Sequence, residues 1–534
     1  MSSLLANACV PATFGTPSVF GAQILGLETS LVTNYSASVA EILRFTQPAV
    51  ELVDVTFCNI TVKYTHPGQD DEIFVEAWLP VGNWNGRLQA VGGGGWAAGR
   101  FFMSYDAMKG AIGDGYATIT TNAGLGDALD ASPWALLSPG NVNMNNLHNL
   151  GSVSLNDEAI IGKSLIRSFY GKGPDYSYWN GCSQGGRQGV MLAQRYPTAY
   201  DGIAAGAPVL YWADVFASFQ WPQQFMDGLG IYPHGCELDS ITAAAIKACD
   251  GLDGAVDGVI ASPDACLASF DPFSVVGKAA NCSREGASAG TIRISAAAAA
   301  VVNATWRGML TATGKQTWHG LNPGADLTGN SPASTGQEGL SLVSTNCTSG
   351  VCVGSPSTLS QQWLKLFVAK DPTFKLNFTH AEFDSLVHAS KQQYTSVINT
   401  DDPDLSEFKA AGGKLITFHG LSDNVISPKG TIQYYSEVAA LIPTIGDFYH
   451  HYQIPGLGHC FGGPGGAPTG LFAQLRAWVE NGTAPGSSPF VLTGLDGKPQ
   501  NRILCPYPRE ARYNMRCGET GAAKCWSCVG GGKS

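Results

Sequence analysis

The sequence predicts an α/β fold in which a parallel sheet is interrupted by one large insertion. From about residue 50 to 205, apolar strand-like segments alternate with helical periods; the alternation stops near 210 and resumes near 414. Charged residues make up 14% and hydrophobic residues 44% of the 534, which is typical of a globular chain with a large core. We therefore expect a core built from 1–209 and 401–534, with an inserted domain at 210–400.

The individual elements follow from short apolar runs and from helical spacing. The predicted strands are 73–79, 87–91, 116–121, 176–179, 202–208, 414–418 and 447–454. The predicted helices are 157–170, 184–196, which ends before Pro197, and 471–479. Strand–helix alternation of this kind indicates a parallel sheet covered by helices on both faces.

Composition and charge narrow the class of protein. The formal net charge is −11 with no basic patch, which argues against a nucleic-acid partner. No apolar run approaches the roughly 20 residues that a membrane span needs, so we expect no membrane partner. Fourteen cysteines favour an oxidising compartment, and we expect a secreted, mature protein whose signal peptide is absent from this sequence. Seven glycosylation sequons support this expectation, at Asn34, Asn59, Asn281, Asn303, Asn346, Asn377 and Asn481.

A Gly-x-Ser-x-Gly motif provides a candidate nucleophile, Ser183. The predicted strand ends just before Gly181 and a predicted helix follows, and a serine on such a tight turn needs small neighbours. A serine hydroxyl is unreactive at neutral pH unless a base accepts its proton during attack. An ordinary serine in a glycine-rich turn is the alternative interpretation of this motif alone.

His459 is the candidate base, because it follows the last predicted strand and precedes a glycine-rich loop. Each candidate adjoins a cysteine, Cys182 beside Ser183 and Cys460 beside His459. A Cys182–Cys460 disulfide would hold nucleophile and base together from distant parts of the chain. His450 and His451 lie within the predicted strand, and we interpret them as structural.

Asp423 is the candidate acid that orients the imidazole, because it follows the strand at 414–418. Asp401, Asp402 and Asp404 are rivals, but they precede that strand and are typical of a solvated cluster that caps a helix. The chain order Ser, Asp, His is the one that α/β-hydrolases use. The fold class predicted is therefore an α/β-hydrolase core with a large inserted lid domain.

Two backbone N–H groups should form an oxyanion hole. One is expected from Gln184, directly after the nucleophile, and the other from the loop 92–95, where Gly94 is our choice among four glycines. A flexible loop with no donor role is the alternative. The loop lacks the Gly-Lys-Ser/Thr of a phosphate-binding loop.

The insertion contains three carboxylates within eight residues, Asp250, Asp253 and Asp257, followed by Cys266. Oxygen-only ligands at this density suit calcium, with the carbonyls of Ala255 and Val259 completing the shell. An Asp/Gly turn without metal is the alternative that the residues alone leave open.

The motifs around Ser183, at 178–189, and around Asp250, at 248–258, together with Cys505-Pro-Tyr-Pro508, resemble the tannase/feruloyl esterase family over essentially the whole chain. The resemblance implies a triad of Ser183, Asp423 and His459. It also implies a structural calcium ion in the lid, bound by Asp250, Asp253, Ala255, Asp257 and Val259. Two further disulfides follow from it, Cys249–Cys266 and an N-terminal Cys9–Cys58; the other cysteines are not assigned partners.

We expect a secreted serine esterase that cleaves esters of plant phenolic acids through an acyl-enzyme, with feruloyl-type acids as first choice. The substrates would be small aromatic esters, with attachment to plant cell-wall polysaccharide left open. A tannase acting on galloyl esters is the runner-up. An inactive, calcium-stabilised secreted binding protein and a broad lipase are further alternatives. Aromatic residues at the start of the insertion are expected to help hold the substrate ring: Tyr211, Trp212, Phe216, Phe219, Trp221 and Phe225.

Overall fold

The computed structural model describes residues 2–282, 290–329, 340–348 and 351–530. Nine strands form its main sheet, numbered here in chain order: β1 Gln23–Val39, β2 Val50–Thr65, β3 Ile73–Pro80, β4 Arg87–Val91, β5 Ala117–Thr121, β6 Tyr176–Cys182, β7 Gly202–Gly206, β8 Lys414–Gly420 and β9 Tyr449–Ile454.

The sheet is mixed rather than wholly parallel. Its strand order is 1-2-3-5-4-6-7-8-9. The strands β4 to β9 all run parallel to one another. In contrast, β1, β2, β3 and β5 pair antiparallel. The expectation of a parallel sheet therefore holds for the part that carries the candidate site. The antiparallel part was missed because the edge strand β1 is mostly solvent-accessible and gives little apolar signal.

Both faces of the parallel strands are buried. Consecutive residues of one strand enter different hydrophobic clusters, as Tyr178 and Trp179 do in β6 and Leu415 and Ile416 do in β8. Successive side chains of a strand point to opposite faces, so burial of both requires a layer on each side. The sheet is thus the middle layer of an α/β structure.

Helices provide most of those layers. The predicted helices are present as Ser154–Tyr170, Gln184–Arg195 and Leu471–Asn481, with bounds that differ by a few residues. The segments outside the insertion also form α-helices at Ser2–Asn7, Phe102–Gly113, Ser132–Ala135, Met144–His148, Ser406–Ala410 and Pro428–Leu441. None of the described helices is long and apolar enough to cross a membrane.

The described part of the chain between β7 and β8 adds no strand to the main sheet. Its described helices are Trp212–Ser218, Trp221–Leu229, Gly235–Cys249, Pro263–Ser269, Ala296–Arg307, Thr358–Gln362 and His380–Ile398. Two small hairpins accompany them, one pairing Ala279–Asn281 with Thr291–Arg293 and one pairing Ser344–Thr348 with Val351–Ser355. Three further two-stranded sheets pair Leu136–Ser138 with Asn141–Val142, Ser488–Thr493 with Pro499–Leu504, and Glu510–Tyr513 with Trp526–Val529.

All 14 cysteines form disulfides. Three pairs are those expected from the sequence: Cys9–Cys58, Cys182–Cys460 and Cys249–Cys266. The pairs left unassigned are Cys236–Cys282, Cys347–Cys352, Cys505–Cys528 and Cys517–Cys525. Their spacing alone did not distinguish these partners.

Candidate active site

Ser183 occupies a strained turn between β6 and the helix Gln184–Arg195. Its backbone has φ 63° and ψ −119°, a conformation that a residue with a side chain rarely adopts. The turn needs glycine around it, because a Cβ on Gly181 would lie 2.7 Å from the backbone of Gly185 and one on Gly186 would lie 2.2 Å from the carbonyl oxygen of Gly206. The Ser183 N–H donates to that same Gly206 oxygen at 2.9 Å. Small residues thus permit a turn that presents the Ser183 hydroxyl beyond the carboxyl end of β6.

The three residues proposed as a triad lie in hydrogen-bond contact, although they are far apart in the chain. The Ser183 hydroxyl lies 2.9 Å from Nε2 of His459, and Nδ1 of His459 lies 2.9 Å from Oδ2 of Asp423. A neutral imidazole can then accept the serine proton at Nε2 while its Nδ1–H donates to the carboxylate. This geometry matches what nucleophile activation requires.

Asp423 is completely buried and is held as a carboxylate. Burial raises its pKa, but His459 and His419 more than offset this effect, and the pKa lies well below its usual value. Its Oδ1 accepts the N–H groups of Val425 and Ile426, each at 2.8 Å. Charged-form hydrogen bonds of this kind favour ionisation. The acid therefore stays ionised and fixed across the neutral pH range.

His419 is a site residue that the sequence analysis did not single out. It is the next-to-last residue of β8, four residues before Asp423. Its Nε2 lies 3.0 Å from Oδ2 of Asp423 and 3.1 Å from the carbonyl oxygen of Ile426. Both partners only accept, so the proton must be on Nε2, and Nδ1 accepts from the Thr431 hydroxyl at 2.8 Å. His419 thus anchors the same carboxylate oxygen of Asp423 that His459 contacts. Its spacing before Asp423 was the available signal.

The Cys182–Cys460 disulfide joins the two halves of the site directly, with 5.9 Å between the two Cα atoms. Cys182 ends β6 beside Ser183, and Cys460 follows His459 with a φ of 63°. The bridge spans 278 residues of sequence, yet it adjoins the two residues whose 2.9 Å contact matters most. It constrains the nucleophile and base as one unit.

The two expected oxyanion donors differ in their surroundings. The Gln184 N–H, at the first turn of its helix, donates to no acceptor in the described residues, as an oxyanion donor requires. The Gly94 N–H instead donates to the carbonyl oxygen of Ala97 at 3.1 Å. In the same loop the Gly95 N–H has no acceptor within the described chain, and Gly95 lines the adjacent cavity. Of these two neighbouring N–H groups, that of Gly94 is therefore engaged within the loop and that of Gly95 is not.

Arg187, which the sequence analysis also did not single out, holds the side chain of Gln184 in place. Its Nε donates to Oε1 of Gln184 at 2.7 Å, and its two terminal nitrogens donate to the carbonyl oxygens of Leu150 and Gly151 at 2.8 and 2.9 Å. A guanidinium only donates, so the Gln184 amide must turn its oxygen toward Arg187. Burial, and then Arg195, lower the pKa of Arg187 to about 9, which leaves it charged at neutral pH.

A cavity of about 280 Å³ opens beside Ser183 and His459. Aromatic side chains from the start of the insertion form part of its wall: Trp212, Phe216 and Phe219. The other three aromatic residues named from the sequence pack elsewhere; Tyr211 donates to Glu437 and Trp221 to the carbonyl oxygen of Ala304, while Phe225 lies against Trp221. Opposite the insertion, Val425, Ile426 and Phe461 complete an apolar enclosure.

The rival titratable residues lie outside this arrangement. Asp402 and Asp404 accept backbone N–H groups of Asp404 and Ser406, as residues that cap a turn do. Asp401 accepts from the Asn399 amide. His451 is buried in β9 beside the Thr417 hydroxyl, and burial lowers its pKa to about 3, whereas His450 is partly accessible.

The three aspartates of the insertion are buried together with one cation, Arg502, which donates to Asp257 at 2.8 Å. Burial, opposed by Arg502 and reinforced by Asp253 and Asp250, raises the pKa of Asp257 to about 7. When all three are ionised, three carboxylates beside one guanidinium leave an excess of two negative charges. In the described chain no group donates a hydrogen bond to the buried carbonyl oxygens of Ala255 or Val259. This donor set of carboxylate and carbonyl oxygens fits a divalent, oxygen-binding cation.

The aspartate oxygens are not drawn tightly together. Among the described residues, ligand atoms of three His, Cys, Asp or Glu side chains come within 4.8 Å of one another only at His234, Cys347 and Cys352. Both of those cysteines are in a disulfide, so that group is not a thiolate metal site. Backbone N–H groups bind Asp250, Asp253 and Asp257 individually, at 2.8 to 3.2 Å.

Known proteins resemble this chain along most of its length. The family model described as "Tannase and feruloyl esterase" matches residues 58–529. A "Probable feruloyl esterase" of Arthroderma benhamiae is 36% identical over 492 residues, covering 90% of this chain and 87% of that protein. "Tannase" of Aspergillus oryzae is 28% identical and covers 85% and 82% of the two chains. The solved structure "Tannin acyl hydrolase from Aspergillus niger" superposes with a TM-score of 0.85 at 28% identity, covering 99% and 95%.

A strained serine at the end of a parallel strand, a histidine and an aspartate in that chain order, and a covered α/β sheet define an α/β-hydrolase type of serine hydrolase. The chain belongs to the tannase and feruloyl esterase family. It is a carboxylic ester hydrolase.

Proposed function

We propose that the protein hydrolyses esters of hydroxycinnamic, feruloyl-type acids through an acyl-enzyme on Ser183. The observation that carries this proposal is the Ser183–His459–Asp423 hydrogen-bond chain at the edge of an aromatic-walled cavity. Relatives named feruloyl esterase and tannase support an aromatic acid as the acyl group. An inactive binding protein would have no need to retain this complete chain of hydrogen bonds.

The proposed reaction begins when the Ser183 oxygen attacks the ester carbonyl carbon while His459 Nε2 accepts the hydroxyl proton. Asp423 stabilises the resulting imidazolium through Nδ1–H. The N–H groups of Gln184 and Gly95 would donate to the carbonyl oxygen as it becomes negative. His459 then returns the proton to the alcohol oxygen, which leaves. A water molecule, deprotonated by His459, attacks the acyl-enzyme and releases the acid.

The lining of the cavity favours a feruloyl over a galloyl acid. In the described chain its polar side chains are those of Asn180, Ser183, Gln184 and His459, with the indole N–H of Trp212, and none is a carboxylate or a Lys or Arg. Asn180 is already bonded to Thr46 and to the Arg44 carbonyl. Three galloyl hydroxyls would thus lose water with few fixed acceptors to replace it, whereas a feruloyl ring has one hydroxyl to satisfy and buries its methoxy group favourably. The tannase activity is the second candidate, on the strength of the named relatives.

A release assay tests the acid preference. We expect methyl ferulate to be cleaved with a higher kcat/KM than methyl gallate, and a long-chain p-nitrophenyl ester to be cleaved poorly. Methyl caffeate, with two ring hydroxyls, should fall between the first two. A preference for gallate would replace the feruloyl assignment with the tannase one, and a preference for the long-chain ester would point to a lipase.

We further propose that 210–400 acts as a lid domain over a core formed by 1–209 and 401–534. Trp212, Phe216 and Phe219 of this segment line the cavity, whereas the core loop 92–95 next to Ser183 is all glycine. The insertion therefore provides part of the apolar wall that an aromatic ring needs, together with core residues such as Phe101, Val425 and Ile426.

Calcium is proposed as a structural ion of this lid. Asp250, Asp253 and Asp257 would provide carboxylate ligands, and the carbonyl oxygens of Ala255 and Val259 would complete the shell. The ion would neutralise buried charge between the insertion and Arg502 of the C-terminal segment, and no chemical step passes through it.

Secretion is proposed from two features. Seven disulfides are typical of proteins from oxidising compartments. Five sequon asparagines are solvent-exposed, as glycan attachment requires: Asn34, Asn281, Asn346, Asn377 and Asn481.

A further inference from the structure

The cavity beside Ser183 has a closed end and an open mouth, and both are apolar. At the closed end Trp212, Phe216 and Phe219 are each at most 3% exposed. At the mouth two further lining side chains are largely exposed, Phe102 at 63% and Leu129 at 53%. Large apolar side chains that project into water around a binding site mark a surface that a ligand covers.

The mouth is built on ordered backbone. Phe102 begins the helix Phe102–Gly113, and Ser104 of that helix donates to the Gly92 carbonyl oxygen at 3.0 Å. On the other side, the Gln362 amide donates to the Leu129 carbonyl oxygen at 2.9 Å and accepts the Ala131 N–H at 2.9 Å. The backbone that carries both apolar side chains is therefore held in place before any substrate arrives, which lowers the entropy lost on binding.

The order of bond breaking assigns the two ends. In the proposed reaction the alcohol leaves first, while the acid remains bonded to Ser183. The alcohol must then have a path to solvent with the acyl group still in place. This requirement puts the aromatic acid at the closed end and the alcohol at the mouth.

We propose that the enzyme prefers esters whose alcohol is itself apolar, an aliphatic or arylalkyl alcohol, over esters of a sugar. This inference rests on the proposed function and specifies its leaving group. The lining segments at the mouth, 101–103 and 128–129, carry no side-chain N–H, O–H or carboxylate. A sugar placed there would lose water from its hydroxyls without replacement partners among the side chains of these two segments, whereas an alkyl or phenyl group would bury Phe102 and Leu129.

The test compares kcat/KM for methyl, hexyl and 2-phenylethyl ferulate and for a ferulate ester of arabinose, each below its aggregation concentration. We expect the hexyl or 2-phenylethyl ester to exceed both the methyl and the arabinose ester by about tenfold or more. The two apolar esters distinguish a preference for alkyl from one for aryl alcohols. The double variant Phe102→Ser/Leu129→Ser should lose most of this advantage, measured as the ratio of kcat/KM for the hexyl or 2-phenylethyl ester to kcat/KM for the methyl ester.

A matched control is Val53→Ser/Leu441→Ser, which removes two apolar side chains that are also largely exposed, at 78% and 53%, and that do not line the cavity. It should retain the full advantage of the apolar alcohols. Equal turnover of all four ferulates, or a preference for the arabinose ester, would overturn this inference and leave the feruloyl assignment intact. An unchanged ratio of apolar-ester to methyl-ester kcat/KM in the Phe102→Ser/Leu129→Ser variant would overturn it by showing that the alcohol does not contact the mouth. No turnover of any ferulate by the unaltered enzyme would overturn the proposed function as well.

Discussion

At the scale of single residues, the chemistry depends on how firmly Asp423 and Gln184 are held. One carboxylate oxygen of Asp423 accepts from both His459 and His419, and the other accepts two backbone N–H groups. Gln184 is held through its side chain by the buried Arg187. Asp423 and Gln184 are therefore each held by neighbouring residues that restrict their positions, which is what preorganised catalysis requires.

Arg187 is predicted to be a positioning residue. Replacing it with Met removes the clamp on Gln184 and should lower kcat about 10- to 100-fold with a small change in KM, because a displaced N–H weakens oxyanion stabilisation. Arg187→Lys, which keeps a cation, should recover part of kcat. Steady-state kinetics on methyl ferulate, with melting temperatures measured alongside, checks this prediction.

Arg195→Met is the control, since Arg195 lies on the same helix and donates instead to Ser152 and to the Ser396 carbonyl oxygen. It should leave kcat nearly unchanged. A folded Arg187→Met variant with normal kcat would show that the guanidinium serves only the packing of the core.

The sequence could identify Ser183, Asp423 and His459 because each stands at a recognisable place relative to a strand end. It could not choose between Gly94 and Gly95, since four consecutive glycines differ only in where their N–H groups point. His419 and Arg187 escaped notice for a similar reason. Their roles come from partners such as Ile426 and Leu150, which no local pattern associates with them.

At the scale of elements, the site is made by joining two strand ends that are far apart in the chain. The strained turn after β6 presents Ser183, and the loop after β9 presents His459. Packing of the intervening strands β7 and β8 sets the distance between them roughly, and the Cys182–Cys460 disulfide sets it closely.

Removing this disulfide is predicted to affect activity more than folding. A Cys182→Ala/Cys460→Ala variant should lower kcat/KM by about tenfold or more at a temperature where it remains folded, because the Ser183–His459 contact loosens. A single disulfide commonly contributes roughly 2–4 kcal/mol to the free energy of unfolding, so the fold should survive.

The control removes Cys9–Cys58, which joins the N-terminal segment to β2 and does not contact the triad. That variant should lose stability and keep its kcat/KM. Equal activity losses in the two variants, or none in the first, would contradict a role in active-site geometry.

Among the elements, the buried strands and the amphipathic helices were predictable within a few residues, because burial on one or both faces imposes a periodic pattern. The long strands β1 and β2 were not, since their pairing satisfies backbone hydrogen bonds while leaving many side chains in water. The small hairpins of the insertion carry equally little apolar signal.

At the scale of the whole molecule, two of the contacts between the insertion and the core have different roles. Near Ser183 it contributes the aromatic wall of the cavity. Farther away its aspartate cluster meets Arg502, on the strand Pro499–Leu504 of the C-terminal segment. At the second contact, carboxylates in excess of the one guanidinium lie where two distant parts of the chain meet. We therefore expect the proposed calcium ion to stabilise the contact between the insertion and the C-terminal segment.

Chelation is therefore predicted to lower the melting temperature by roughly 5 °C or more, because an ion that binds only the folded state adds its binding free energy to stability. Elemental analysis of the purified protein should find about one calcium per chain. Asp250→Asn should reduce both the calcium content and the response to chelator. The exposed residue Asp264 of the same insertion provides the control, and Asp264→Asn should change neither. Protein without calcium and with no thermal response to chelator would contradict the proposal.

The central claim, that Ser183 forms an acyl-enzyme with a feruloyl-type acid, is tested most directly by intact mass spectrometry during turnover of methyl ferulate. Samples quenched in acid during turnover should contain enzyme heavier by one feruloyl group, and peptide mapping should place that group on Ser183. Ser183→Ala should fold, show no added mass and lose about a million-fold in kcat. Normal hydrolysis by the Ser183→Ala variant, or a feruloyl group bonded to another residue, would contradict the account.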